Sequence, residues 1–93
     1  MTVVVKRDGK KEVFDERKIR RSIEAAARDA HLSNENARVL AVDASPNVIE
    51  YARNEEQIRT STIRESLLNR LDTCAPHVSR AWRDFDRRNK GLS

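Results

Sequence analysis

Residues 3 to 23 read VVVKRDGKKEVFDERKIRRSI, and the local signals in this stretch decide how the chain begins to fold. Val3 to Val5 are a short β-branched run, Asp8-Gly9 is a common hairpin turn, and Glu12 to Phe14 return to a strand pattern. The stretch therefore predicts a β-hairpin.

A helix is predicted to begin directly after the hairpin. Asp15 suits the N-cap position, because its carboxylate can accept hydrogen bonds from the free N–H groups of a first helical turn. Phe14 and Ile19 then have the spacing of a hydrophobic staple. The apolar residues that follow predict one buried face on a helix from about Glu16 to Ala30.

Three cations meet at this junction between strand and helix. Lys6 and Arg7 lie at the turn, and Lys18 lies in the first helical turn. A helix N-terminus attracts anions by itself, through its free N–H groups and its dipole. The cluster is therefore typical of a site for a polyphosphate.

Three further helices are predicted. Ser33 caps the second, whose apolar stripe keeps its phase across Pro46, so a kinked or nearly continuous helix is expected. Residues 60 to 62 offer three alternative caps for the third helix, and the last of them would form a capping box with Glu65. Pro76 is expected to open the fourth helix, in which Trp82 and Phe85 are interpreted as core residues.

The composition favours one small domain that spans residues 1 to 93. Hydrophobic residues make up 38% of the chain and aromatic residues only 4%, which allows a modest aliphatic core. With one cysteine and two histidines, a zinc cage is not expected. No run is long and apolar enough for a membrane span or a signal peptide, so a cytoplasmic protein is expected.

The net charge of +4 is unevenly distributed. Residues 1 to 32 carry a net charge of +3, residues 33 to 58 carry −3, and residues 59 to 93 carry +4. If the two ends fold together, their combined field attracts phosphate. The alternative is that charged side chains, at 37% of the chain, only keep a small helical protein soluble.

The opening stretch resembles the ATP-cone, the regulatory nucleotide-binding domain of ribonucleotide reductases and of the zinc-ribbon repressor of their genes. The similarity continues weakly to Trp82-Arg83-Asp84-Phe85. It implies an α+β fold, a four-helix bundle capped by a small N-terminal hairpin or three-stranded sheet, with residues 57 to 59 as the third strand. The residues that match the family pattern are Lys6, Arg7, Asp8, Gly9, Glu12, Phe14, Asp15, Lys18, Ile19, Ser22 and Ile23.

The resemblance also implies an effector, ATP or dATP with magnesium, and the residues that hold its phosphates. Lys6 and Arg7 would contact the phosphates from the hairpin. Lys18 would reach the phosphate or the ribose from the first helix. Thr60 and Arg64, from the third helix, match positions that face the phosphates in the family.

The resemblance also implies which residues would surround the base. The resemblance places Val5, Phe14 and Ile19 beside the ring, and Glu12 and Asp15 at the adenine edge. A carboxylate can accept from the exocyclic amine of adenine, whereas guanine presents an oxygen there and is repelled.

Each candidate also has an ordinary structural role. Arg7 and Asp8 can pair at an exposed turn, and Asp15 and Thr60 can be helix caps. Arg21 is a further candidate for nucleotide contact, although its helical phase turns it away from the predicted apolar face.

Two functional hypotheses follow. The first is a stand-alone, non-catalytic ATP-cone that acts in allosteric regulation. Its bound nucleotide would alter its oligomerisation, or its contact in trans with a ribonucleotide reductase or a DNA-binding partner. No membrane partner is expected. No P-loop and no catalytic constellation is found. The second is a small nucleic-acid-binding protein or transcription regulator, given a pI near 9.7 and the cationic face of the fourth helix formed by Arg80, Arg83, Arg87 and Lys90.

Overall fold

The architecture comes from a computed structural model that describes the backbone of residues 1–92 and the side chains of residues 1–88. Within that part of the chain, helices pack beside a small sheet formed near the N-terminus. The predicted α+β class, a four-helix bundle with a small sheet, is confirmed. The elements are β1 (Val3–Val5), β2 (Lys11–Val13), α1 (Glu16–Asp29), α2 (Asn34–Arg53), β3 (Gln57–Arg59), α3 (Thr60–Cys74) and α4 (Pro76–Leu92).

The sheet has the order β2-β1-β3, so β1 is its central strand. β1 pairs antiparallel with β2, with Val4 opposite Glu12, and parallel with β3, with Val4 opposite Ile58. The hairpin turn needs Gly9, whose φ of +88° lies in the left-handed region that side chains disfavour. The third strand is thus present, and it brings the start of α3 next to the hairpin.

The junction between hairpin and α1 follows the sequence prediction closely. Asp15 is the N-cap of α1, and its carboxylate accepts a hydrogen bond of 2.9 Å from the Arg17 backbone N–H. Ile19 and Ile23 are buried on the inner face of the helix, and Phe14 packs against the same core. The strand therefore passes directly into a helix whose N-terminus faces the sheet.

α2 is one helix across Pro46. Ser33 caps it by accepting a hydrogen bond of 3.1 Å from the Asn36 N–H. Its buried side is lined mainly by alanines, which allow α1 to approach closely. The expectation of a nearly continuous second helix is confirmed.

The start of α3 differs from the prediction. Arg59 occupies the N-cap position and makes no side-chain capping bond, while Thr60 is already the first helical residue. The predicted capping box of Thr62 and Glu65 is therefore wrong. The reason is that β3 leads into α3 without a loop, so the helix begins where the strand pairing ends.

α3 and α4 are joined by a buried seam and an ionic contact. Leu71 and Val78 are fully buried between them. Asp72 accepts hydrogen bonds from the Ser79 hydroxyl at 2.5 Å and from both Arg83 terminal nitrogens at 2.6 and 2.8 Å. The Arg83 guanidinium, and to a smaller extent the Ser79 hydroxyl, lower the pKa of Asp72 to about 2.

Several apolar side chains lie at the surface. Phe85 was expected in the core but is 47% exposed, because helical periodicity identifies a face without showing what covers it. Val39 and Val42 are exposed on α2. No helix among the described residues has the length and apolarity needed to span a membrane.

The ion pair between Asp72 of α3 and Arg83 of α4 gives a stability prediction. The pKa of Asp72 is lower in the folded chain than its ordinary value of 3.8, so its contribution is complete above that value and is lost as the pH falls toward about 2. Asp72→Asn should therefore lower the melting temperature at pH 7, and its difference from the parent chain should shrink between pH 4 and pH 2.

Thermal unfolding followed by circular dichroism across this pH range measures the effect. Asp43→Asn, on the exposed face of α2, controls for the loss of one negative charge. A difference between Asp72→Asn and the parent that stays constant down to pH 2 would contradict the assignment.

Candidate functional site

A cleft of about 810 Å³ opens between the hairpin, the first turns of α1, the start of α3 and one side of α4. Its volume falls in the range of small-molecule sites, about 300–1,000 Å³. The residues that line the cleft are Val4, Val5, Lys6, Arg7, Gly9, Glu12, Phe14, Asp15, Lys18, Ile19, Ser22, Arg59, Thr60, Ser61, Ile63, Arg64, Leu67 and Trp82.

All of the residues that the sequence predicted to contact nucleotide line this cleft, with the exception of Arg21. Arg21 is exposed on α1. Lys18 and Ser22, four residues apart, present the side of α1 that faces the cleft. The structure therefore does not bring Arg21 to the cleft, in line with its helical phase.

Glu12 holds two of the cations at the edge of the cleft. Its carboxylate lies 3.2 Å from the Lys6 Nζ and accepts a hydrogen bond of 3.1 Å from the Lys18 Nζ. These contacts, that of Lys18 first and that of Lys6 second, lower the pKa of Glu12. Each carboxylate oxygen already faces one ammonium group, so a ligand that binds either lysine or Glu12 exchanges partners with this triad.

Asp15 combines capping with an ion pair. Besides capping α1, it accepts from the Arg17 Nε at 3.2 Å and from a terminal nitrogen of Arg17 at 3.3 Å. The Arg17 side chain is the largest cause of the lowered pKa of Asp15. Asp15 is therefore an ionised cap at the cleft wall.

The N-terminus of α3 opens toward the same cleft. Arg59, Thr60 and Ser61 line it, and no side chain caps the first turn of the helix. The Thr60 hydroxyl donates to the Val5 carbonyl at 3.3 Å, which ties this helix end to β1. Backbone N–H groups at such an end are ready donors to an anion.

Arg64, one turn further along α3, is not free in this state. Its Nε donates to the Asp86 Oδ2 at 2.7 Å, and a terminal nitrogen of the same guanidinium contacts the same oxygen. The predicted phosphate-facing arginine thus lines the cleft while bound to a carboxylate of α4.

Sequence reasoning missed the contribution of α4 to the cleft. Trp82 was interpreted as a core residue; it does pack against the core, yet it also lines the cleft. Nothing in the local sequence separates these roles, because they depend on how α4 lies across its neighbours. Arg59 and Ser61 were accessible to prediction, since both adjoin Thr60 at the strand-to-helix junction.

A metal site and a nucleic-acid surface have less support in the described residues than the cleft has. Within residues 1–88, no group of three or more His, Cys, Asp or Glu side chains is placed to hold a metal ion.

On the cationic face of α4, Arg83 is bound by Asp72, and a terminal nitrogen of Arg87 lies 3.9 Å from the Asp84 Oδ1. The Lys90 side chain lies outside the described residues. Fewer cations of this face are available to nucleic acid than its sequence indicates.

A cationic cleft between a small sheet and two helix ends, lined in part by apolar side chains, defines a small α+β domain suited to a phosphorylated ligand. The model of the family described as the ATP cone domain matches residues 2–88, so the chain belongs to the ATP-cone family, as the resemblance predicted. ATP-cones are regulatory, non-catalytic domains that bind ATP or dATP as effectors. A comparison with curated proteins gives no match.

The Glu12 triad gives a direct electrostatic prediction. Because the Lys18 hydrogen bond is the largest cause of the lowered pKa of Glu12, Lys18→Ala should raise that pKa. Lys6→Ala should also raise it, but by less. Carboxyl-carbon NMR titration of Glu12 measures both shifts.

Lys10→Ala is the matched control, because it removes a hairpin lysine that does not line the cleft. An unchanged Glu12 titration in Lys18→Ala would contradict the geometry of the triad.

Proposed function

We propose that this ATP-cone binds ATP or dATP in the cleft and acts as a sensor of adenine nucleotides. The bound effector changes how the domain associates with itself or with a partner, and the nucleotide is not consumed. The observation that carries the proposal is the convergence of cations from the hairpin loop and α1 on the open N-terminus of α3, in one cleft that is also lined by apolar side chains.

The phosphates are assigned to the polar end of the cleft. Lys6, Arg7 and Lys18 supply positive charge from two elements, and the first turn of α3, with Thr60, supplies N–H donors. Charge-assisted hydrogen bonds to phosphate are roughly twice as strong as neutral ones. Magnesium is expected to accompany the polyphosphate, since it binds proteins largely through substrate phosphates.

The adenine ring is assigned to the apolar part of the cleft. Val5, Phe14 and Ile19 offer a surface for the ring, and Glu12 and Asp15 lie at its edge. Both carboxylates are acceptors when ionised, so they favour the amine of adenine over the oxygen of guanine. For Glu12 this role requires that at least one lysine moves from the carboxylate to phosphate.

Regulation follows only if the effector binds one state of association better than another. The proposed partners are a second copy of the domain, or a ribonucleotide reductase or DNA-binding protein met in trans. We expect this regulation to take place in the cytoplasm.

Calorimetric titration with ATP, dATP and GTP in the presence of magnesium tests the proposal. Both adenine nucleotides should bind and GTP should not. Lys6→Ala/Arg7→Ala should weaken ATP binding by at least about 100-fold, because hydrogen bonds to charged groups contribute about 1.5–3 kcal/mol each. Circular dichroism should show that the fold is retained.

The matched control is Lys10→Ala/Lys11→Ala, which removes the same charge from the same hairpin at residues that do not line the cleft. It should leave the affinity nearly unchanged. An equal loss of ATP affinity in both double variants would show that the hairpin acts only through its net positive charge, without direct contacts from Lys6 and Arg7. No heat of binding with any nucleotide would contradict adenine-nucleotide binding. Sedimentation velocity with and without dATP then tests the sensing step.

A further inference from the structure

The starting observation is that Arg64 lies between two alternatives. It lines the cleft from α3, yet its guanidinium is bonded to the Asp86 carboxylate of α4. The Arg64 side chain is 37% exposed and the Asp86 side chain 25% exposed, so the pair is partly shielded from water. Such a pair is more strongly coupled than a freely exposed one.

A guanidinium binds a carboxylate and a phosphate through the same planar set of donors. A polyphosphate in the cleft carries more negative charge than Asp86, and it offers several oxygens to those donors. Asp86 also repels a polyphosphate placed beside Arg64. Arg64 therefore has two competing partners, one inside the domain and one in the ligand.

We propose that nucleotide binding exchanges the Arg64–Asp86 ion pair for a contact between Arg64 and phosphate, and that this exchange loosens the second half of α4. The inference rests on the proposed function, since it describes how the same cleft is regulated. In the nucleotide-free state Asp86 acts as an internal competitor that lowers the affinity for nucleotide and holds α4 against α3.

The first half of α4 stays in place during this exchange. Val78 and Ser79 are buried in the seam with α3, and Arg83 is bound to Asp72 of α3 outside the cleft. Neither Asp72 nor Arg83 lines the cleft, so nucleotide does not compete for that pair.

The side chains on either side of Asp86 are exposed to solvent. Phe85 is 47% exposed, and Arg87 is exposed as well. Loss of the Arg64–Asp86 ion pair thus frees this part of α4, which then presents a changed surface to a partner. Nucleotide binding in the cleft thereby changes the second half of α4.

A double-mutant cycle tests the exchange, with ATP affinity measured by calorimetry for the parent chain, Asp86→Asn, Arg64→Gln and the double variant. Asp86→Asn removes the competitor and should tighten ATP binding by about fivefold or more, the lower end of typical coupling between sites. In the Arg64→Gln background the same substitution should change the affinity little. Asp72→Asn, which breaks the other α3–α4 ion pair, should leave the ATP affinity unchanged.

Hydrogen exchange gives a second measurement. ATP should speed amide exchange in residues 85 to 88 of the parent chain, and Asp86→Asn without nucleotide should already show the faster exchange. Unaltered exchange in Asp86→Asn would contradict the loosening of α4.

The outcomes separate the two proposals. If the parent chain binds ATP but Asp86→Asn does not bind it more tightly, the exchange is wrong while the nucleotide site stands. An equal gain in both backgrounds would show that Asp86 acts only as a nearby charge, which also overturns the exchange. If neither the parent chain nor Asp86→Asn binds ATP, the proposed function itself is contradicted.

Discussion

The pairing of β1 with both of its neighbours is the constraint on which the cleft depends. The antiparallel pairing with β2 places Glu12 beside the cations of the hairpin and α1, and the parallel pairing with β3 places the start of α3 on the opposite side of the cleft. Residues that are more than forty positions apart in the chain, such as Lys18 and Thr60, line the same cleft because of this pairing. Each strand has three residues, so the surrounding helices must stabilise the sheet.

A second property of the cleft is that three of the cations that line it already have a carboxylate partner. Lys6 and Lys18 share Glu12, and Arg64 is bound to Asp86. Such pairing keeps several positive charges close together in the absence of ligand, because each carboxylate reduces their mutual repulsion. A polyphosphate then binds by exchange of ionic partners, and the carboxylates it displaces are free to take other roles.

The sequence was most informative where local rules act. The Asp8-Gly9 turn, the Asp15 cap and the continuity of α2 across Pro46 could all be predicted from neighbouring residues, and they are present. The family pattern added β3. Prediction failed where packing decides: the start of α3 depends on the end of strand pairing, and Phe85 is exposed although Val78, on the same apolar stripe of α4, is fully buried. The Arg64–Asp86 ion pair joins residues 22 positions apart on different helices and has no local signal.

The most direct test of the central claim, that an adenine nucleotide occupies this cleft, is an NMR titration of the isotope-labelled chain with ATP. The account predicts that the amides of residues 6 to 9 and 59 to 61, together with the indole N–H of Trp82, shift along one common saturation curve. Trp82 is the single tryptophan of the chain, so its signal is unambiguous. Shifts confined to the outer face of α2 around Val39 and Val42, or none at all, would contradict the claim.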